Sequence, residues 1–405
     1  MEEKRKNKGN VPNLRFPGFE REWKTASIGE CSSSLEYGMN SSATKFDGEN
    51  KYIRITDIDD GSRKYKSHSP VSPEGILSEK YLVKENDILF VRTGADTGRS
   101  YCYDSNDGKL YFAGFLIRAR INPIYNGNFI FAQTLTQKYN RWVKLMSMRS
   151  GQPGINSQEY SSFQFNIPTK EEQDKISLFL SKIDARIETQ SKIIENYKSQ
   201  IKGISDKVFS RELRLKDDEG NKFPEWCYLK GNEVFDNISN KKHNSDLPIL
   251  AITQEYGAIP RNMIDFQISV TNKSIESYKV VEKGDFIISL RSFQGGIEYS
   301  NYTGICSPAY IILKAKLKID SSFYRYYLRT EKYIRSLNEK LEGIRDGKMI
   351  SYKYFSDIPL PYPSFDEQCK IVSILSSLEK RIEIEKQLLI VFQNQKKYFL
   401  KSLLI

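Results

Sequence analysis

Histidine is nearly absent from this 405-residue chain: there are two, His68 and His243, both in polar stretches. A Ser-His-Asp relay or a histidine-based metal centre is therefore poorly supplied. Cysteine is sparse and scattered. Cys31, Cys102, Cys227, Cys306 and Cys369 form no C-x-x-C pair, and an odd, unclustered set predicts free thiols in place of a disulfide frame or zinc site. No apolar run reaches the roughly 18 residues of a membrane span. The opening MEEKRKNKGNVPN is charged and lacks the apolar segment of a signal peptide, which predicts a cytoplasmic protein. Enzyme motifs are missed narrowly. GADTGRS (94–100) has three residues between its glycines where a phosphate loop needs four, and Arg99 where that loop needs Lys. A strand-to-strand turn is the simpler reading. SPAY (307–310) is near the Pro-Pro-Tyr signature of base amino-methyltransferases, but the second Pro is missing and no glycine-rich cofactor strand precedes it. It reads as part of a strand in a repeated unit.

What is present is positive charge and a long heptad pattern. Hydrophobic residues make up 39% of the chain, enough for globular cores. Net charge is +11, which points to a polyanionic partner, nucleic acid first. From Glu171 to Arg211 there are 8 basic and 7 acidic residues, and from Asp366 to Lys401 there are 7 and 5. These two stretches hold only +3 of the excess. The remainder lies outside them, so the other parts are expected to face the polyanion.

Between Thr169 and Arg211, apolar residues recur in steps of four and three: Ile176, Leu180, Ile183, Ile187, Ile194, Tyr197, Ile201, Ile204 and Val208. Only Gln190 interrupts the series. A seam sustained for more than four heptads predicts a coiled-coil helix. The pattern returns 195 residues later, with Ile371, Leu375, Leu378, Ile382, Leu389, Phe392, Phe399 and Leu403, and with Glu385 at the place of Gln190. Each helix is expected to open on a capping box, Thr169 with Glu172 and Ser364 with Glu367. Two matched helices with one seam each most simply pack on each other. A polar residue within such a seam can set register at some cost in stability, or mark where the seam opens to solvent or a partner. Register-setting is the favoured role for Gln190 and Glu385.

The segments between the helices also repeat. YIRITDI (52–58) alternates like a strand, and VKENDILFVRTG (83–94) and FAGFLIRARI (112–121) read as strands. FIFAQTLTQKYNRWVKLM (129–146) reads as one amphipathic helix, followed by a Gly-rich loop. The second half keeps this order: LPILAIT (247–253), VVEKGDFIISLRS (280–292), SPAYIILKAK (307–316), a helix over 323–341, and a Gly-rich loop. The expected organisation is a tail at 1–13, a module at 14–166, a helical spacer at 167–212, a second module at 213–359 and a second spacer at 360–405. The basic, glycine-punctuated loops are the candidate DNA surface. In the first module they carry Arg92, Thr93, Arg99, Arg149, Ser150 and Gln152. In the second they carry Gln254, Arg261, Arg291, Ser292, Gln294, Arg345 and Lys348. Arg reads guanine and Gln reads adenine through paired hydrogen bonds, while Ser, Thr and Lys commonly hold phosphates. Taken singly, any of them could be an ordinary solvated loop residue.

VKENDILFVRTG and VEKGDFIISLRS, SFQGGI (292–297) with SPAY, GQPGIN (151–156), and the helix entries IPTKEEQDKI (167–176) and LPYPSFDEQCKI (360–371) together resemble the specificity subunit of type I restriction-modification enzymes. LRFPGFEREW (14–23) is similar to the opening of members of that family. The resemblance covers nearly the whole chain. It implies an α+β fold: two similar mixed α/β target recognition domains alternating with two long helices that form an antiparallel coiled coil. It implies that each domain reads one half of a bipartite double-stranded DNA target, and that the helices set the gap and dock two methyltransferase subunits. Two restriction subunits, the motor-nucleases, complete such complexes. S-adenosylmethionine, ATP and Mg are expected on those partners, and no cofactor or metal on this chain. The chain departs from a symmetric plan in its short N-terminus, since 1–13 offers no helix to mirror the first arm. Two other classes compete: a stand-alone DNA-modifying or DNA-cleaving enzyme, and a coiled-coil scaffold without DNA binding.

Overall fold

The computed structural model describes residues 10–148, 151–243, 246–264, 275–290, 292–339 and 350–404. It divides into two compact units, one of residues 1–191 with 387–405 and one of residues 192–386. Both divisions fall inside a long helix. Lys170–Phe209 is a 40-residue helix and Phe365–Leu403 a 39-residue one, each roughly 60 Å long at 1.5 Å per residue. In both, two acidic residues occupy the first turn, where they oppose the helix dipole.

Within each unit the long helices meet antiparallel, the N-terminal half of one against the C-terminal half of the other. In unit 1, Phe179 packs edge-on against Phe399 and Asp184 holds Lys396 at 2.5 Å. The Arg186 guanidinium lies 4.1 Å from the Phe392 ring centre. In unit 2, Ile201 and Ile204 pack into the same core as Ile371 and Leu375. The heptad positions are inward as read: Ile176, Leu180, Ile194, Ile371, Leu375 and Ile382 are buried, and Ile183, Ile187, Leu378 and Leu389 half-buried. Gln190 and Glu385 are buried in their own units, and Arg381 holds the Glu385 carboxylate at 2.7 Å.

Neither expected capping box is complete, and only the second keeps one of its two bonds. Glu367 N–H donates to Ser364 Oγ, but its carboxylate faces Arg214 at 3.4 Å. Glu172 receives Arg15 Nε and Nη2 on its two oxygens, both at 2.8 Å. A charge-assisted bidentate pair outcompetes the neutral N–H of the cap residue. The following glutamine is the second half of a clamp. Gln173 accepts from Asn126 N–H at 3.0 Å and donates to Pro168 O at 2.9 Å. Gln368 does the same with Asp320 N–H at 2.9 Å and Pro363 O at 3.0 Å. The repeated Glu-Gln thus ties each long helix to its module's arginine and helix start. Glu172 is 1% exposed, so Arg15→Ala would strand a buried carboxylate. A loss of about 3 kcal/mol or more is expected, measured as the shift in denaturant midpoint of the unit 1 transition.

Each module is built on a four-stranded antiparallel sheet in the same spatial order. In unit 1 the order is Ser32–Tyr37, Leu116–Ile121, Asp87–Val91, Ser100–Cys102. In unit 2 it is Phe235–Ile238, Ile311–Ala315, Phe286–Ile288, Glu298–Tyr299. A short ribbon closes each module on its helix, Lys24–Ser27 with Gln164–Ile167 and Cys227–Lys230 with Pro359–Tyr362. One sheet face packs on helices and the long-helix ends, burying Phe90, Phe129, Tyr160 and Phe165 in unit 1 and Phe235, Phe286, Tyr324 and Phe355 in unit 2.

Residues 52–58 are a strand only to Ile53, and Ile55–Asp57 turn as a 3-10 helix because Asp57 accepts from Arg54 N–H and its guanidinium. The helix over 129–146 is two, Gly127–Gln133 and Gln137–Met146. Thr136 restarts it as an N-cap by accepting from Tyr139 N–H, and Thr330 does the same for Tyr333 in the second module, dividing Ser321–Tyr327 from Glu331–Glu339. SPAY precedes its strand as a turn.

Candidate nucleic-acid interface

In unit 1 the strand Asp87–Val91 delivers Arg92 and Thr93 to a sheet end, where the 151–156 loop is zipped onto them. Ile155 N–H donates to Arg92 O at 2.8 Å, Gly94 N–H to Pro153 O at 3.0 Å, and Thr93 bridges Gly154. Gly154 permits this approach: a Cβ there would lie 3.3 Å from Arg92 O. Gly94, at φ 87°, makes the turn that follows. The loop brings exposed Gln152 beside Gly94, so Arg92, Thr93 and Gln152 share one edge although about 60 residues of sequence separate them. That edge also holds Tyr37, at the end of the first sheet strand. The Arg92 guanidinium lies 4.8 Å from its ring centre. Tyr37 Oη accepts from Ser157 N–H at 3.2 Å. The Ser157 hydrogen bond holds the Tyr37 phenol below its ordinary range, and the Arg92 charge adds to this. Phe115 stands exposed next to Arg92, whose backbone N–H donates to Phe115 O. Tyr37 and Phe115 were not among the residues singled out from sequence. An aromatic residue at a strand end opposite a basic loop is the signal that could have found them.

Arg99 does not join this edge as a free cation. It is mostly buried and holds Asp96 at 2.5 Å and Asp60 at 3.0 Å. The GADTGRS segment is the turn expected of it, with Thr97 N–H donating to Gly94 O and Arg99 N–H to Asp96 O.

In unit 2 the corresponding loop is built differently. Ser292 is fully buried: its Oγ accepts from Ser289 N–H at 2.8 Å and donates to Glu298 at 2.7 Å. Ser289 Oγ donates to the other Glu298 oxygen at 3.0 Å. Ser292 is thus an internal brace and not a phosphate-facing hydroxyl. Burial raises the Glu298 carboxyl above its ordinary range. The brace fixes the short helix Ser292–Gly295, on which Gln294 is exposed. Gln254 is exposed, and its carbonyl accepts from Arg329 Nη2 at 3.0 Å. Arg261 is half-buried, and its Nη1 has no hydrogen-bond partner among the described residues. Arg149, Ser150, Arg291, Arg345 and Lys348 lie outside the described residues.

The two modules align by register. Asp87 and Asp285 each accept a backbone N–H from three residues earlier, Lys84 and Glu282. Ala119 and Leu313 each pair with both neighbouring strands. On that alignment Ser239 stands where Tyr37 does, and Leu290 where Arg92 does. The frames match and the edge chemistry does not.

All five cysteines are free. Among the described residues no group of three or more His, Cys, Asp or Glu side chains is placed to hold a metal ion, and no helix is long and apolar enough to cross a membrane.

The family described as Type I restriction modification DNA specificity domain matches residues 20–196 and again 225–393. The type I restriction enzyme MjaVIII specificity subunit of Methanocaldococcus jannaschii is 26% identical over 335 residues, 77% of this chain and 76% of that protein. Among solved structures, the S subunit of a type I restriction-modification system from M. genitalium matches with a TM-score of 0.55 at 17% identity, over 98% of this chain and 99% of that one. A chain from a study of complex assembly and conformational transition in a type I R-M system matches with a TM-score of 0.54 at 17% identity, over 96% and 98%. These two likenesses speak for the fold, and the repeated sequence match carries the assignment: the chain belongs to the type I restriction-modification DNA specificity family, with the family's domain present twice.

Proposed function

We propose that this chain is the sequence-reading subunit of a type I restriction-modification complex, in which residues 14–166 read one half of a bipartite DNA target and residues 213–359 the other. One observation carries the reading: two modules of the same sheet order, clamped to their helices by the same Glu-Gln pair, present different residues at equivalent edge positions. A common frame with unlike edges suits two unlike half-sites. Each module enters a major groove, with half-site centres about one helical turn apart, roughly 10 bp. Base-edge contacts give the sequence preference, and phosphate contacts add salt-dependent affinity.

The long helices are the spacer, with Gln190 and Glu385 as register-setting positions. They also dock two methyltransferase subunits, and two motor-nuclease subunits complete the assembly. The partners hold S-adenosylmethionine, ATP and Mg, and this chain contributes no catalytic group. In unit 1 the second long helix turns Leu388, Val391 and Tyr398 outward along one stripe, a face suited to an amphipathic helix of a methyltransferase subunit. Leu388→Asp with Val391→Asp is expected to lower methyltransferase retention at least tenfold in a pull-down from purified components, with the melting curve of the free chain little changed.

The test of the whole reading is reconstitution with the methyltransferase subunit, followed by mapping of methylated adenines. A bipartite asymmetric motif is expected. Methylation or cleavage by the purified chain alone would favour the stand-alone enzyme instead. Removing one heptad from each long helix should change the unread gap and leave both half-sites intact. Changed half-sites would defeat the division of labour between helix and module.

A further inference from the structure

We propose that Tyr37 aims Arg92 at a guanine edge, so that the pair sets one base position of the half-site read by the first module. This rests on the DNA-recognition reading above and assigns one contact within it.

Arg54, Arg99, Arg118 and Arg120, in the same module, each hold a carboxylate within ion-pair distance. Arg92 holds none among the described residues. Among those residues its guanidinium has a single hydrogen bond, from Nη1 to Gly114 O at 3.4 Å, and it lies over the Tyr37 ring. Donors remain free on a planar group that lies over that ring. Guanidinium stacks well on aromatic faces, and its fork of donors matches O6 and N7 of guanine in the major groove.

Tyr37 ends a strand paired without a break from Ser34 onward with its neighbour Leu116–Ile121. Its Oη is anchored by Ser157, the first residue of a helix capped by Asn156 through a complete capping box. Residue 155, just before that cap, donates its N–H to the Arg92 backbone carbonyl. The same loop thus holds the Tyr37 ring through its Oη and the Arg92 backbone through its carbonyl. An arginine bound to a phosphate does not need this, because a phosphate accepts from many directions. A constrained guanidinium suits base discrimination, since paired hydrogen bonds to O6 and N7 tolerate little rotation. The second module has Ser239 and Leu290 at these places, so the contact is expected in one half-site only.

The experiment uses the reconstituted complex and a panel of duplexes carrying every single-base change in the methylated motif. Arg92→Lys and Tyr37→Ala are expected to lose roughly tenfold or more of discrimination at one G·C pair of the first module's half-site. The other half-site is unaffected and serves as the folding control. Tyr37→Phe keeps the ring but loses the Ser157 anchor, so discrimination at that pair is expected to fall between those of the unaltered complex and Tyr37→Ala, which separates aiming from mere structural support. In the unaltered complex, 7-deazaguanine at that one position should weaken binding by a similar factor, with no further weakening in Arg92→Lys. This arm stands even if Tyr37→Ala fails to assemble. The proposal is overturned if Arg92→Lys weakens all duplexes equally, the mark of a phosphate contact. It is equally overturned if no guanine of that half-site is sensitive to loss of N7. A wild-type complex that yields no bipartite motif overturns the functional reading and this contact together.

Discussion

A chain ending at Tyr398 is expected to lose the fold of unit 1 while unit 2 persists. The deletion removes Leu400, Leu403 and Leu404, all buried in the same core as Trp23, Phe129 and Phe165. It also removes the Ser402 carbonyl that accepts from Leu14 N–H at 2.9 Å. A buried leucine cut to alanine costs about 2–5 kcal/mol, so three leucines lost outright approach the whole stability of a typical domain, about 5–15 kcal/mol. Unit 2 closes its own core in the same way. There Leu213 N–H donates to Lys207 O at 2.9 Å, and Val208 and Phe209, 195 residues before Leu403 and Leu404, fill the core. The end of the second long helix does for the first module what the end of the first long helix does for the second. Limited proteolysis is the measurement: rapid loss of fragments from 14–166 with survival of 213–359. A truncated chain as resistant as the full one would show that the terminal leucines are dispensable.

Exchange of the second module for that of another family member is expected to replace one half-site completely and leave the other and the gap unchanged. The structure sharpens where the exchange must be cut. A junction at 358 divides the ribbon in which Cys227–Lys230 pairs with Pro359–Tyr362. It also separates Trp226 and Phe235 from Leu360 in one core. An incoming module therefore needs its own strand equivalent to 359–362 and an arginine in the place of Arg214 to meet Glu367. A hybrid cut at 358 should assemble with lower yield than one cut just after Tyr362, because a mismatched ribbon leaves backbone groups unpaired. Mapping methylated adenines reads the outcome. A change in both half-sites would mean that the modules do not read independently.

The heptad seams were legible because period and length are local. Ile176, Leu180, Ile371 and Leu375 could be assigned inward from spacing alone, and they are buried. Duplication was legible for the same reason, as order and turn chemistry survive where identity does not. The helix breaks at Thr136 and Thr330 were missed because apolar spacing runs on across them, and a threonine N-cap competes with helix continuation only through local hydrogen bonds. Arg99 and Ser292 looked like DNA-facing polar loop residues. Whether a polar side chain meets solvent or an internal carboxylate depends on partners such as Asp60 and Glu298, and composition does not reveal such partners.

By itself the sequence determined the period of the two long helices, the repeat of the modules, the excess of positive charge outside the helices and the family resemblance. Each of these is additive along the chain, so each can be read without coordinates. Tertiary structure alone decided that the last leucines complete the first module, and that Glu172 and Glu367 serve arginines in place of caps. It also decided that Tyr37, Arg92 and Gln152 share one edge. These depend on segments far apart in sequence, brought together by burial of apolar surface and by pairing of buried charge, and no local pattern encodes which partner will be near.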